Sequence, residues 1–399
     1  MRILKTVQAY YPFQEKGGPV VKVRAMSRAL ALHGHRVTVL SADLGLASRE
    51  DTKLRIEPCR WGWCAEQDGI EAIYLSTLGA YRALTVNPGV VPFCRSSLRG
   101  FDLVHFYGLY DLLGPAVSFF CRKYAIPYVI EPMGMNRPID RNIQMKRLWH
   151  RTIGNGFWNN AARIVATSEL EQQELLEDSV PHHKVLMRYN GVDSVSEMTG
   201  SLCGSFRSKY GIPKKEPLIL FLSRLVPRKG ADILIQAFAR AFQDSGRLVI
   251  AGPEGERDYL AFLQKCAIEL GVDDRVLFTG PLYDSEKDAA FADANVFVLP
   301  SRYENFANVV AEAIAFGVPV IISPFCGIRS LVADRAGLVV SPDKNSLAAA
   351  LRRLIDNESL YEQMKEGCKE VASQLNWDRL TLKMERYYND VLESNNVKG

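Results

Sequence analysis

Two acids with seven residues between them, Glu304 and Glu312, stand in an otherwise mostly apolar segment that runs from Pro300 to Ile322. An ionised carboxylate among apolar neighbours is costly without polar partners. Ligand hydroxyls suit it, because a carboxylate only accepts hydrogen bonds. The segment reads as a buried strand ending at Pro300, a loop holding Glu304, and a helix from about Phe306. Val309, Val310, Ala313, Ile314 and Phe316 form the apolar face of that helix, and Gly317 ends it. A helix that starts directly after a parallel strand aims its amino end at the mouth of the sheet, where anions bind. Taken singly, Glu304 reads equally as a helix cap and Glu312 as a partly exposed helix residue.

Cations come next. Arg224 and Lys229, with Arg228 between them, follow a strand and precede a helix around Ala231–Ala241. Two positive groups there can neutralise a diphosphate and stabilise it as a leaving group. Alone, the same residues describe a solvated loop. Gly17-Gly18-Pro19 precedes an amphipathic helix over Val20–Leu32. Its spacing matches neither the dinucleotide-binding nor the nucleotide-triphosphatase glycine pattern. A lone His105 on a buried strand reads first as a satisfied core residue.

The elements that must position these groups are short apolar strands alternating with helical patterns. In the first half they are Ile3–Val7, Val37–Ser41, Leu103–Phe106, Tyr128–Glu131, Ile164–Thr167 and Val185–Arg188. In the second they are Leu218–Leu222, Arg247–Ala251, Val276–Thr279, Val296–Leu299, Val318–Ile322 and Leu338–Val340. Continuous apolar strands predict parallel sheets covered on both faces. Repetition of the pattern predicts two doubly wound α/β domains. The boundary falls near 190–215, where Asn190-Gly191-Val192-Asp193 gives a turn and Ser194–Ser205 is polar. The domains are therefore 1–195 and 210–372, with a C-terminal helix over 377–394 packing back on the first.

The 399 residues, 47% apolar and 24% charged, suit two or three globular domains. That much apolar content excludes disorder as the main state. No stretch is long and apolar enough for a multi-span membrane protein. The net charge of 49 − 45 = +4 lacks the dense basic stripe of a duplex-binding protein, so no nucleic-acid partner is expected. Met1-Arg-Ile-Leu-Lys-Thr-Val7 reads as a strand rather than a signal peptide. The eight cysteines are scattered without a Cys-x-x-Cys pair, and Cys59 and Cys64 have four residues between them. This predicts buried thiols in a reducing cytoplasm rather than a disulfide framework or zinc site. Trp61 and Trp63 lie in a region with no assigned element; either stacks on a sugar or packs. Arg137–Arg151 holds five Lys/Arg against Asp140, with Ile143, Met145, Leu148 and Trp149 interleaved. That stretch is either a solvated helix face or a contact with anionic lipid.

The spacing of Glu304 and Glu312, followed by Ala-x-Ala-x-Gly-x-Pro-Val-Ile, resembles the EX7E motif of the GT4 family of retaining nucleotide-sugar glycosyltransferases. Other segments resemble that family in order along nearly the whole chain. They are Gly17-Gly18, Asp102-Leu-Val-His105, Glu131-Pro-Met-Gly134-Met, Asn190-Gly-Val-Asp193, and Ser223-Arg224-Leu-Val-Pro-Arg-Lys229-Gly230. The resemblance implies a GT-B fold, two Rossmann-like domains facing across a cleft, with donor mainly on the C-terminal domain and acceptor on the N-terminal one. It implies Glu312 on the ribose hydroxyls and Glu304 on the donor sugar. It also implies backbone N–H groups of Phe306, Ala307 and Asn308 on the diphosphate or sugar, Arg224 and Lys229 on the diphosphate, and Gly17 and Gly18 near the donor phosphate or acceptor. His105, Tyr107, Met133 and Gly134 become acceptor-side candidates.

Three departures stand out: Tyr107 and Met133 occupy positions where many members carry histidine, and Ala307 replaces a usual glycine. No side-chain base is evident, which is consistent with the front-face mechanism described for the family, where the donor phosphate takes the acceptor proton. The expected activity is that of a hexosyltransferase acting from a nucleoside-diphosphate sugar onto a hydroxyl of a glycan or lipid-linked glycan. It would need no metal or other cofactor. By resemblance the setting is bacterial surface polysaccharide assembly, capsule or lipopolysaccharide included, in the cytoplasm or peripherally on the inner membrane. A non-catalytic subunit of the same fold, or a nucleotide-sugar epimerase, is the alternative.

Overall fold

The computed structural model describes residues 1–13, 17–46, 54–81, 84–137, 143–193 and 202–396. The chain divides into two compact units, Met1–Gly191 with Trp377–Gly399, and Val192–Asn376.

The strands of unit 1 are β1 Arg2–Thr6, β2 Arg36–Ala42, β3 Glu57–Cys59, β4 Gly62–Gln67, β5 Ile70–Leu75, β6 Gly79–Tyr81, β7 Leu84–Val86, β8 Leu103–Tyr107, β9 Tyr128–Glu131, β10 Arg163–Ala166 and β11 Val185–Met187. Nine of them form one sheet in the order β11-β10-β9-β8-β1-β2-β5-β4-β3. Pairing is parallel from β11 to β5 and antiparallel from β5 through β4 to β3. The apolar runs are continuous because both faces are packed. Ile3, Val37, Val39 and Leu103 point into one core. Leu4, Leu40, Val104 and Phe106 point into the other. Helix α1, Gly18–Leu32, covers the first face with Val20, Val23, Met26 and Leu30 buried. Helices α2 Val90–Ser97, α3 Leu113–Lys123, α4 Ile143–Arg151, α5 Ile153–Asn159 and α6 Glu169–Glu177 follow. Phe93 of α2, Val117 of α3, Phe157 of α5 and Leu175 of α6 fill the second core.

The C-terminal helix Trp377–Asn396 buries Trp377, Met384, Tyr388 and Val391 in the first core. Glu385 accepts from the rings of His33 and His35 at 2.9 and 2.8 Å. Tyr387 donates its hydroxyl to the Met187 carbonyl at 3.0 Å. Gly191 is required by this helix rather than by its own backbone. A Cβ there would stand 2.4 Å from Trp377 Cδ2.

Unit 2 contains β12 Leu218–Leu222, β13 Arg247–Ala251, β14 Val276–Gly280, β15 Val296–Leu299, β16 Val320–Ile322 and β17 Gly337–Val339. Their order is β14-β13-β12-β15-β16-β17, all parallel. Counted within the unit this is 3-2-1-4-5-6, the order of the dinucleotide-type doubly wound sheet. Helices cover it, among them Ala231–Ala241, whose position coincides with the expected one.

Two expectations are corrected. The region of Trp61 and Trp63, left without an element, is the antiparallel extension β3–β4–β5, and β6–β7 form a separate hairpin. Strands β3, β4, β6 and β7 are short or only partly buried and lack the apolar run that marks the others; β5 is buried and carries one. Trp61 packs edge-on to Phe93 at 5.9 Å, and Trp63 packs at the margin of the first core. Cys59 and Cys64 are disulfide-bonded. The β3–β4 hairpin folds back between them and pairs Cys59 with Gly62 and Glu57 with Cys64, which brings the two thiols together across the ladder. Of the polar linker expected over 194–205, residues 194–201 lie outside the described residues. So do residues 138–142 of the Arg137–Arg151 stretch.

Candidate functional site

In an open doubly wound sheet, ligands bind at the carboxyl ends of the strands where the order reverses. In unit 2 that place lies between β12 and β15. The loop after β12 carries Arg224 and Lys229; the loop after β15 carries Glu304, Phe306 and Ala307. Lys229 and Glu304 are ion-paired there, Nζ to Oε1, each largely buried.

The backbone holds the two loops in register. Arg302 donates its N–H to the Arg228 carbonyl at 2.9 Å, and Ser301 Oγ donates to the same carbonyl at 3.2 Å. Gly230 lies at φ 76°, and a Cβ on it would meet the Pro300 carbonyl oxygen at 2.7 Å. Close approach and left-handed backbone together demand glycine. The Glu304 backbone is clamped on its other side, accepting from Gly327 N–H at 3.0 Å and donating to Phe325 O at 2.9 Å. Cys326 lies buried beneath; burial first, then the charge of Glu304, push its thiol up to about 12. It is held as a thiol, not a nucleophile.

Helix Asn308–Ala315 starts two residues inside the expected boundary. Its cap residue, Ala307, is buried and adopts φ 75°. The glycine usual at this position in the family is thus explained by backbone conformation. Val310, Ala311, Ala313 and Ile314 are buried, while Glu312 keeps 28% side-chain exposure. Glu312 pairs with Lys287 of helix Asp284–Asp293, Nζ to Oε2 at 3.0 Å. Burial alone would lower the Lys287 ammonium, but the Glu312 charge and hydrogen bond, with Asp288 and Asp284, outweigh it and raise it. Lys287 was not anticipated from sequence, because nothing in Asp284-Ser-Glu-Lys-Asp288 connects it to a residue 25 positions on. Arg224 is exposed and its side chain has no partner among the described residues.

In unit 1 the corresponding reversal lies between β1 and β8. Beneath it is a buried polar cluster. Glu131 at the end of β9 accepts from Arg188 Nη2 at 2.6 Å and pairs with Lys22 of α1. His105 Nδ1 meets the Tyr388 hydroxyl at 2.6 Å, and its ring stacks on Tyr107 at 4.2 Å. Lys5 Nζ, His105 Nε2 and the Tyr107 hydroxyl are buried without a hydrogen-bond partner among the described residues. His105 is 0% and Tyr107 2% exposed, so both lie under this end of the sheet rather than on its open surface. Met133 and Gly134 are half-buried in a tight turn at φ 56° and 77°. Gly134 N–H donates to Glu171 Oε1 at 2.5 Å. The other oxygen of Glu171 accepts from the Thr167 N–H and hydroxyl at 2.8 and 2.9 Å. Glu171, also unforeseen, therefore fixes the Met133–Gly134 turn. Gly17 and Gly18 are exposed at the start of α1, Gly17 at φ 92°. A cavity of about 580 Å³ in unit 1, lined in part by Arg36, Trp61, Glu71 and Phe93, lies toward the amino ends of β1 and β2, away from these residues.

Two Rossmann-like sheets are the fold of the GT-B glycosyltransferases, which the structural neighbours share. Residues 17–191 match the model "Glycosyl transferase 4-like domain" and residues 204–371 match "Glycosyl transferases group 1". The chain belongs to this GT4-like glycosyltransferase family and is a transferase enzyme. It is 24% identical to an uncharacterized glycosyltransferase of Methanocaldococcus jannaschii, over 96% of this chain and 97% of the relative. It is 27% identical to the D-inositol 3-phosphate glycosyltransferase of a Nocardioides species, over 91% and 83%. Its fold matches the crystal structure of Anabaena HepE in complex with UDP, with a TM-score of 0.78, 20% identity, and coverage of 98% of this chain and all of the other.

Proposed function

We propose that this transferase takes a sugar from a nucleoside-diphosphate sugar and places it, with retention at the anomeric carbon, on a hydroxyl of a glycan or lipid-linked glycan. The observation that carries this reading is the Lys229–Glu304 pair at the reversal point of the second sheet. Lys229 and Arg224 neutralise the diphosphate, and the amino end of helix Asn308–Ala315 adds N–H groups from Phe306 to Asn308. Glu304 accepts from the sugar hydroxyls and Glu312 from the ribose hydroxyls, each held by its lysine. With its charge compensated, the diphosphate departs without a general acid. Its oxygen takes the acceptor proton, so the side chains supply charge and position rather than a base. No divalent ion is needed, because two cations already face the diphosphate, and chelation leaves the rate unchanged. Gly17 and Gly18 serve the donor phosphate, and Met133 and Gly134 the acceptor side.

The inositol phosphate transferase among the relatives favours a polar, hydroxyl-rich acceptor. Surface polysaccharide assembly at the cytoplasmic side of a bacterial membrane is the setting we propose. The test is donor turnover by wild type and Glu304→Ala, with NMR of the product's anomeric proton. Retention by the wild type with loss in the variant is expected. Inversion, or equal turnover by both, would overturn the assignment.

A further inference from the structure

Helix α4 turns Lys146, Trp149 and His150 inward and leaves Met145 and Leu148 in solvent. Lys146 Nζ lies 5.4 Å from the Tyr110 ring, and His150 Nε2 meets the Tyr110 hydroxyl at 2.9 Å. Met145 and Leu148, on the opposite side, are 52% and 60% exposed. A helix in a soluble domain normally turns its apolar stripe to the core. The exposed surface continues onto the neighbouring helices. Ile153, which opens α5, is 52% exposed and Phe119 of α3 is 55% exposed. Trp149 fits against Gly154, and Arg122 of α3 lies against Gly156, which joins the three helices into one face.

The charge on this face is mainly basic, although Asp178 lines a groove with Arg147 and Arg151. Helices α3, α4 and α5 contain no Asp or Glu, and Arg122, Lys123, Arg147 and Arg151 are exposed on them. Arg137, which the sequence groups with them, is not part of it. It is engaged by Glu177 at 2.8 Å and Asp178 at 3.0 Å. Exposed apolar side chains rimmed by basic ones mark an interaction surface. A second copy docking by the same face would set these cations against each other. An anionic lipid surface meets both features: side chains such as Leu148 enter the acyl boundary while the basic groups stay with the headgroups. From this we infer that α3, α4 and α5 form a docking face for an anionic phospholipid membrane. It stands independently of the donor-site reading.

The full chain is tested by flotation with phosphatidylcholine vesicles, with and without about a third phosphatidylglycerol. Wild type should float with the anionic vesicles only and be released by high salt. Met145→Glu with Leu148→Glu should lower the bound fraction at least tenfold, whereas Leu148→Phe keeps it. Arg147→Gln and Arg151→Gln should each cost roughly fivefold. Phe119→Asp, on a different helix, should repeat the loss if the α4 variant fails to fold. Nucleotide-induced thermal stabilisation should be unchanged throughout, which separates this test from that of the donor site. The inference is overturned if the wild type does not float, if flotation ignores lipid charge and salt, or if folded variants float as well as the wild type. A solution dimer split by the α4 variant, with no vesicle binding, would equally overturn it in favour of self-association.

Discussion

The Lys229 ammonium is bound to the Glu304 carboxylate although 75 residues separate them in sequence. Each sits just past the end of a strand, β12 and β15, and those strands are neighbours because the sheet order reverses between them. Removing Lys229 removes one cation from the proposed diphosphate site and frees Glu304 from its partner. By analogy with the loss of one preorganised electrostatic contact, Lys229→Ala should reduce kcat by roughly 10²–10³. Circular dichroism should stay native, and Lys229→Arg should recover part of the rate. Steady-state donor turnover measures all three.

Lys287 and Glu312 form the second such pair. If Glu312 holds the ribose hydroxyls, its removal costs about 1.5–3 kcal/mol, roughly ten- to hundredfold in nucleotide affinity. Lys287→Met leaves that carboxylate without its cation, so a smaller loss in the same direction is expected. The diagnostic readout is discrimination. Wild type should prefer a nucleoside diphosphate over its 2′,3′-dideoxy analogue, and Glu312→Ala should bind the two alike. Calorimetric titration with both ligands provides the comparison.

Ala307 carries its side chain in left-handed backbone at φ 75°. That conformation costs an L-residue about 1–2 kcal/mol. Ala307→Gly relieves it, less about 0.4–1 kcal/mol of chain entropy. A net gain of up to about 1.6 kcal/mol should appear as a higher Tm. Ala307→Val should lower Tm, because a β-branched side chain fits this backbone worse.

Burial first, then the charges of Lys5, Arg188 and Lys22, hold the His105 imidazole well below its ordinary range. The native state thus refuses a proton that the unfolded chain accepts near pH 6.5. Below that pH the unfolded state binds more protons, so stability falls as pH drops and is restored above it. Thermal melts should show Tm declining from about pH 6.5 toward 5. His105→Asn should flatten this part of the slope even if it lowers Tm overall. An unchanged slope would place the titration elsewhere.

Both parallel sheets were legible because strands packed on two faces leave continuous apolar runs. β12, β13 and β15 start and stop at the residues that the pattern marks. The strands β3, β4, β6 and β7 were not, since a short, half-buried antiparallel strand such as Gly62–Gln67 mixes Gly, Trp, Cys and Glu without a run; β5, buried and parallel to β2, was missed although Ala72–Leu75 is apolar. The same hairpin concealed the Cys59–Cys64 disulfide, because register rather than spacing brings the sulfurs together. In the site, Glu304, Glu312, Arg224 and Lys229 could be named because the segments that carry them resemble family motifs; taken singly, each also reads as an ordinary loop or helix residue. Lys287 and Glu171 could not. Each acts across the fold on a residue that its own neighbourhood does not reveal. His105 shows the converse limit, since a polar residue on a strand gives no sign of whether it lies on or beneath the working surface.

We propose that unit 2 holds a nucleoside diphosphate between Arg224, Lys229, Glu304 and Glu312. Thermal stabilisation by UDP, GDP and ADP, with NAD as control, tests it most directly on the wild type, Arg224→Ala and Glu312→Ala. A ligand at a hundred times its Kd adds about 2.7 kcal/mol, a visible rise in Tm. One nucleoside diphosphate should raise the wild-type Tm, and both variants should lose most of the effect. A rise with NAD alone, or one that persists undiminished in both variants, would contradict it.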